Sequence, residues 1–262
     1  MKHIAIKSAL MCIVAVILLT LGTASASAQY YMNVVQKDGK TVKYLVSNID
    51  SLYFSGQEGP STNYEYVDLG LSVKWATCNV GATKPEEYGD YFAWGEIETK
   101  TDYSWSTYKW CNGSYGTQTK YNINSNYGTV DNKTTLDPDD DVAHVKWGGS
   151  WRMPTFEEQD ELRNNCTWTW YSSGNSEFGG VAGYKVTSNI EGYTDRSIFL
   201  PAAGYRYYTD LNDVGSVGYY WSSSLYASIP ISAWFIYFES GYLDAYYFYD
   251  RSFGQSVRPV CP

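Results

Sequence analysis

The chain has 262 residues, with 28 Asp and Glu against 19 Lys and Arg and a formal net charge of −9. That acidic balance repels phosphate backbones and excludes nucleic acid as a natural partner. With 27 Tyr, 10 Trp and 9 Phe, the chain is too aromatic to be disordered, and it is long enough for one sizeable core or a small module plus a larger one.

Residues 1–28 read as a signal peptide. Lys2 and Lys7 form a basic start, Ala9 to Leu21 an apolar run, and Ala26-Ser27-Ala28 a small-x-small cleavage site. The run is too short for a retained anchor, so no membrane span is expected after cleavage. Met11 precedes Cys12 where a lipoprotein site would need a small residue. The mature chain is therefore expected to be exported, to the periplasm, the cell surface or the medium.

Residues 29–56 predict a small β-hairpin module. Met32–Gln36 and Thr41–Val46 alternate apolar and polar residues around Asp38-Gly39, a dipeptide that tolerates the positive φ of a tight turn. Ile49–Phe54 reads as a further strand, and residues 57–63 as a linker. The main domain, 64–262, opens with strand-like alternation over Val67–Ala76. Thr83-Lys84-Pro85-Glu86 resembles a capping box for a turn or two of helix. Residues 102–127 have no periodicity and predict a long loop region.

Two stronger helix starts follow. Asp137-Pro138-Asp139-Asp140 combines a cap, a Pro at the first helical position and acids at the positive end of the dipole. Thr155-Phe156-Glu157-Glu158 is a capping box opening a helix to about residue 164. Beyond Tyr184 the pattern reads as strands at 184–188, 196–200, 217–223, 232–238, 242–248 and 255–260. Strands, two helices, then a run of strands argue for an α+β fold.

Cys78, Cys111, Cys166 and Cys261 are an even set in an oxidising compartment and predict two disulfides. Three connectivities are open, and Cys78–Cys111 with Cys166–Cys261 is favoured.

Several segments resemble one bacterial family. They are Tyr66-Val67-Asp68-Leu69-Gly70-Leu71-Ser72-Val73-Lys74-Trp75-Ala76, Trp147-Gly148-Gly149-Ser150-Trp151-Arg152-Met153-Pro154-Thr155, Phe199-Leu200-Pro201-Ala202-Ala203-Gly204-Tyr205-Arg206, Gly218-Tyr219-Tyr220-Trp221-Ser222-Ser223-Ser224 and Val257-Arg258-Pro259-Val260. Together they resemble the Fibrobacter succinogenes major paralogous domain family over residues 64–262. The resemblance implies a C-type lectin-like fold with two helices, small distorted sheets and a loop-rich ligand face. A weaker resemblance is to the variable proteins of diversity-generating retroelements, whose diversified positions favour Tyr, Asn, Asp and Ser, as residues 205–253 do.

Catalytic chemistry finds little support. His144 stands three and four residues from Asp141 and Asp140, a spacing explained by an acidic helix cap and a histidine packed near Trp147. The formylglycine-generating enzymes share the implied fold, but they use a cysteine pair that has no match near the C-terminus. Calcium lacks its sugar-binding signatures, and the acidic clusters Asp137–Asp141 and Asp210/Asp213 suffice as a cap and a turn, so no cofactor is assigned. Three N-glycosylation patterns, at Asn112, Asn132 and Asn165, are given no function in a chain whose leader is bacterial in type.

What remains is a contact surface. Tyr is large, rigid and polar at its tip, and Ser, Asp and Asn adapt their hydrogen bonds around it. Alternation in 233–238 assigns Trp234, Ile236 and Phe238 to the core, and Trp221 with them, but the adjacent tyrosines cannot all face inward. Tyr207, Tyr208, Asp210, Asn212, Tyr226, Tyr242, Asp244, Tyr246, Tyr247 and Tyr249 are the candidate ligand-binding residues, for a protein or glycan. The expected function is a non-catalytic exported binding protein. The alternatives are an assembly subunit of a surface adhesin or envelope complex, docking by strand addition of the hairpin, and, as a minor one, an oxidase of the same fold.

Overall fold

The computed structural model describes residues 31–35, 40–45 and 64–262. The expected signal peptide, the strand at 49–54 and the linker 57–63 lie outside the described residues. The chain divides into two compact units, Met1–Asn63 and Tyr64–Pro262. In the first, β1 (Tyr31–Val35) and β2 (Thr41–Leu45) form the expected antiparallel hairpin, with Tyr31 opposite Leu45 and Val35 opposite Thr41.

The second unit is α+β, made mainly of small antiparallel sheets and two α-helices. β3 (Tyr66–Val67) and β4 (Lys74–Ala76) open it, and the last strand, β13 (Val260–Cys261), returns to pair with β4. Helix α1 (Val142–Trp147) follows a single 3-10 turn at Pro138–Asp140. Asp141, not Asp137, is its cap, accepting from the His144 N–H at 3.0 Å. Helix α2 (Phe156–Asn165) starts where its sequence demands: Thr155 and Glu158 close both halves of the capping box. It is followed by a sheet of β5 (Cys166–Tyr171), β6 (Gly183–Ser188) and β7 (Ser197–Pro201). A two-stranded ribbon, β8 (Tyr205–Tyr207) and β9 (Asp210–Asn212), comes next. A sheet in the order β10 (Val217–Leu225), β11 (Ser232–Glu239) and β12 (Tyr242–Asp250) completes the unit. Among the described residues, no helix is long and apolar enough to cross a membrane.

The core is aromatic, and its polar tips are satisfied by backbone. Trp94 and Trp221 are fully buried and donate their indole N–H to Ser222 O and Phe92 O, at 2.8 and 2.9 Å. Tyr108 and Tyr220 likewise donate to Trp94 O and Pro201 O, both at 2.7 Å. A buried Tyr or Trp costs little when its one polar atom finds such an acceptor. Arg258 is buried without a carboxylate partner among the described residues. Its guanidinium donates to Asn79 Oδ1, Ala76 O, Thr77 O and Phe199 O at 2.8–3.0 Å, tying the chain's last segment to the first strands.

Four expectations need correction. Residues 83–86 form a turn, not a helix: the Glu87 carboxylate takes the Thr83 and Lys84 N–H groups and the Thr83 hydroxyl, closing the turn on itself. The strand at 255–260 shrinks to Val260–Cys261, with isolated bridges at Gln255 and Ser256, because Arg258 turns inward and Pro259 has no N–H to give a ladder. Neither disulfide exists. All four cysteines are free and buried, Cys78 donating to Ala82 O and Cys111 to Trp105 O. Lastly, Ile236 and Phe238 are core as expected, but Trp234, on the middle strand β11, is only half-buried, packed against Phe156, Tyr226 and Phe248.

Candidate functional site

The sheet β10-β11-β12 organises the tyrosines, and a bulge decides which way each one points. In a regular strand successive side chains alternate between faces. Opposite β11, strand β12 pairs Tyr242 with Glu239, Asp244 with Tyr237, Tyr247 with Phe235 and Tyr249 with Ala233. Between the second and third of these pairs, β12 holds two residues, Ala245 and Tyr246, against the single Ile236 of β11. One extra residue resets the alternation, so Tyr242, Tyr247 and Tyr249 end on one face despite their odd spacing. Asp244 fixes the bulge by accepting from the Tyr246 N–H at 2.9 Å, with the Tyr242 hydroxyl 3.4 Å from its other oxygen.

On that face the rings form one continuous surface. Tyr247 stacks on Tyr237 at 4.8 Å between centroids, Tyr237 meets Tyr219 at 5.3 Å, and Tyr219 meets Tyr205 at 4.8 Å. Phe253 then joins Tyr205, Tyr207 and Tyr249, the last two at 4.5 Å. Tyr208 ends the series at 4.5 Å from Tyr207. Tyr207, Tyr208, Tyr242, Tyr247 and Tyr249 are exposed, while Tyr205, Tyr219 and Tyr237 are half-buried and form the floor. In the β8–β9 ribbon Asp210 pairs with Tyr207 and Asn212 with Tyr205, so both polar residues share this side. Eight of the ten expected residues therefore meet on one face, Asp244 among them through its pairing with Tyr237.

Tyr208 occupies the ribbon's two-residue turn with φ +50°, a conformation that costs a bulky residue energy. Its carbonyl is held by the Tyr103 N–H at 2.8 Å, so the strained turn is anchored from outside the ribbon. The tyrosine hydroxyls of the face are held in their protonated form. The Tyr242 hydroxyl is pushed up to about 12, first by its hydrogen bond with Tyr247 and then by desolvation. Burial raises Tyr205, Tyr219 and Tyr237 in the same direction, with neighbouring carboxylates and tyrosines adding to it.

Tyr226 and Tyr246 are not part of that face. Tyr226 stacks on Phe248 at 3.8 Å and meets Trp234 at 4.7 Å. Tyr246 packs edge-on to Phe156 of α2, lies under Arg163 at 5.2 Å and donates to Asp160 at 3.2 Å. Sequence reasoning missed Phe248 and Trp234 here and the floor tyrosines on the other face. The adjacent Tyr246-Tyr247-Phe248-Tyr249 run was a signal that side chains must divide between two surfaces. The bulge that assigns them leaves no mark in composition.

The residues considered for catalysis stand apart. The His144 ring bonds Trp151 O at 3.2 Å, and Asp141 caps α1. Asp140 instead accepts from Lys120, Lys109 and the Tyr121 hydroxyl. Among the described residues no group of three or more His, Cys, Asp or Glu is placed to hold a metal ion. Burial raises the pKa of Cys78, Cys111 and Cys261, and pushes Cys166 up to about 12 with Glu161 adding to it; a protonated thiol is a poor nucleophile.

A family described as a domain of unknown function (DUF8237) matches residues 185–260, a span that includes both aromatic surfaces. Searches of curated proteins and of solved structures return no match.

Proposed function

We propose that this chain is an exported, non-catalytic binding protein that presents the tyrosine face of β8, β9 and β10–β12 to a protein or glycan ligand. The observation that carries the reading is the unbroken ring-to-ring series from Tyr208 to Tyr242, with exposed tips over a half-buried floor. Clustered exposed aromatics on a rigid scaffold mark contact surfaces, because their large faces are immobilised at little entropic cost. A C-type lectin-like scaffold is in keeping with two helices, small antiparallel sheets and a final strand that returns to the first ones. Exposed Tyr rings would stack on sugar or apolar surfaces, and Asp210 and Asn212 would fix orientation. Buried, protonated thiols, and the engagement of Asp141 in capping α1, of His144 with Trp151 O and of Asp140 with Lys120, Lys109 and Tyr121, support the non-catalytic part of the reading over an oxidase. No cofactor is assigned.

The test is a glycan array and a protein-capture screen with the full chain, with calcium and with chelator. Selective binding should be lost when Tyr242, Tyr247 and Tyr249 are replaced together by Ala, and kept when Tyr226 and Tyr246 are replaced. Binding indifferent to the triple variant sinks the assignment.

A second reading has its own observation. The β1–β2 hairpin lies in a separate compact unit, and a two-stranded hairpin alone is marginal in water. Completing its sheet with a partner's strand would make the chain an assembly subunit. Deleting residues 30–56 would then abolish assembly while leaving ligand binding intact.

A further inference from the structure

The β8–β9 ribbon has a second side. Tyr205 and Tyr207 point to the tyrosine face, so the intervening Arg206 points away from it. There it lines a cleft of about 510 Å³ together with Tyr91, Lys100, Tyr103, Thr209 and Asp90. A volume of this order suits a ligand of a few rings.

The two cations in the cleft differ. Lys100 is committed, bonding Glu96 at 2.9 Å and Thr107 O at 3.3 Å. Arg206 lies over the Tyr91 ring at 5.3 Å, and among the described residues its guanidinium has no hydrogen bond or ion pair. Its backbone is clamped by reciprocal bonds with Gly254 at 2.7 and 2.9 Å. A Cβ on Gly254 would fall 2.5 Å from the Tyr103 ring, so the glycine is what lets that wall close up. The hydroxyls of Tyr91 and Tyr103 are spent on Ala203 O and Tyr91 O, both at 2.6 Å, leaving their rings as apolar walls. Thr99 and Thr101 also line the cleft. The result is one preorganised guanidinium fork on an aromatic face, ringed by hydroxyls and one exposed carboxylate, Asp90. A fork of this kind takes a carboxylate in two parallel hydrogen bonds. Threonine hydroxyls and an acidic acceptor suit sugar hydroxyls, and Asp90 disfavours ligands as highly charged as phosphate.

We propose that this cleft binds an acidic saccharide, its carboxylate on Arg206 and its hydroxyls on the threonines and Asp90. The inference deepens the glycan branch of the proposed function but uses none of the tyrosine face. The experiment is calorimetric titration of the full chain with oligosaccharides of galacturonate, glucuronate and N-acetylneuraminate, each beside its neutral methyl ester. At least one acid should bind about tenfold or more tightly than its ester. Arg206→Gln should erase that preference without moving the melting temperature, and Thr209→Trp, at an exposed turn position, should block the cleft. The Tyr242, Tyr247 and Tyr249 triple variant should leave the preference intact. Equal binding of acids and esters overturns the proposal, as does a preference that survives both cleft variants. An Asp/Glu-rich peptide that competes as well as the acids overturns the saccharide assignment. Should the cleft fail while array binding still depends on the three tyrosines, the proposed function stands without it.

Discussion

Replacing Arg258 by Met tests whether the unit is held together by a buried cation bound only through neutral oxygens. The guanidinium makes four hydrogen bonds, to Asn79, Ala76, Thr77 and Phe199. Hydrogen bonds to a charged group contribute about 1.5–3 kcal/mol each, so four amount to roughly 6–12 kcal/mol. Against this stands the cost of keeping the charge dry, several kcal/mol for a buried ion, and burial indeed lowers the Arg258 pKa. Removing one partner of such a buried charged arrangement costs about 3–5 kcal/mol, and a loss of that size is expected because Met fills space but leaves the acceptors bare. For a unit of this size that means a melting temperature lower by about 10–15 °C. Arg258→Lys should recover only part of it, since one ammonium cannot span Asn79 and Phe199 together. The assay is thermal unfolding at neutral pH followed by near-ultraviolet circular dichroism, with Lys146→Met, whose partner Glu98 is exposed, as the neutral control. A loss below about 1 kcal/mol for Arg258→Met would show that the four bonds merely offset desolvation.

Asp140→Asn should cost about 2 kcal/mol at neutral pH, because Lys109 loses its carboxylate partner, Tyr121 its charged acceptor, and Lys120 keeps Asp137 alone. Burial alone would raise the Asp140 pKa, but bonds from Lys120, Tyr121 and Lys109 outweigh it and hold it below the ordinary value. Its contribution is thus complete above the unfolded carboxylate pKa, near 4, and is lost as pH falls through the lower folded value. Urea midpoints of wild type and variant should therefore converge in acid; a constant gap contradicts this. Gly254→Ala forces Tyr103 aside and should lower stability by about 1–3 kcal/mol, measured by urea unfolding. Cys78, Cys111, Cys166 and Cys261 should each carry an alkyl label in mass spectra after denaturation without reductant, and should react slowly in the native state, faster as pH rises. A peptide pair linked through sulfur would contradict the structure.

What was legible in the sequence was local. The Thr155–Glu158 capping box, the pairing of the strands at 31–35 and 41–45 and the alternating strands of 217–248 are short-range signals, and the described structure bears them out. The α+β order followed from them. What failed depends on long-range placement. The β12 bulge divides adjacent tyrosines between two surfaces, which period-2 alternation cannot foresee. Pairing cysteines by count presupposes that they converge, whereas Cys78 and Cys111 each sit on a different carbonyl. Arg258 was noticed only as part of a motif, since nothing around Val257 or Pro259 says that its charge goes inward. The cleft is illegible in the sequence for the same reason: Arg206 and Thr209 come from a segment far along the chain from Tyr91 and Lys100.

The pairing of β13 with β4 also sets an order of events in time. Trp75 and Val260, from opposite ends of the unit, must find each other before its edge sheet is complete, and Arg258 cannot reach Ala76 and Thr77 until then. Contacts so distant along the chain are reached slowly, because a long loop must close before they are rewarded. During synthesis the sheet of β3 and β4 therefore stays incomplete until the last residues of the unit have been delivered.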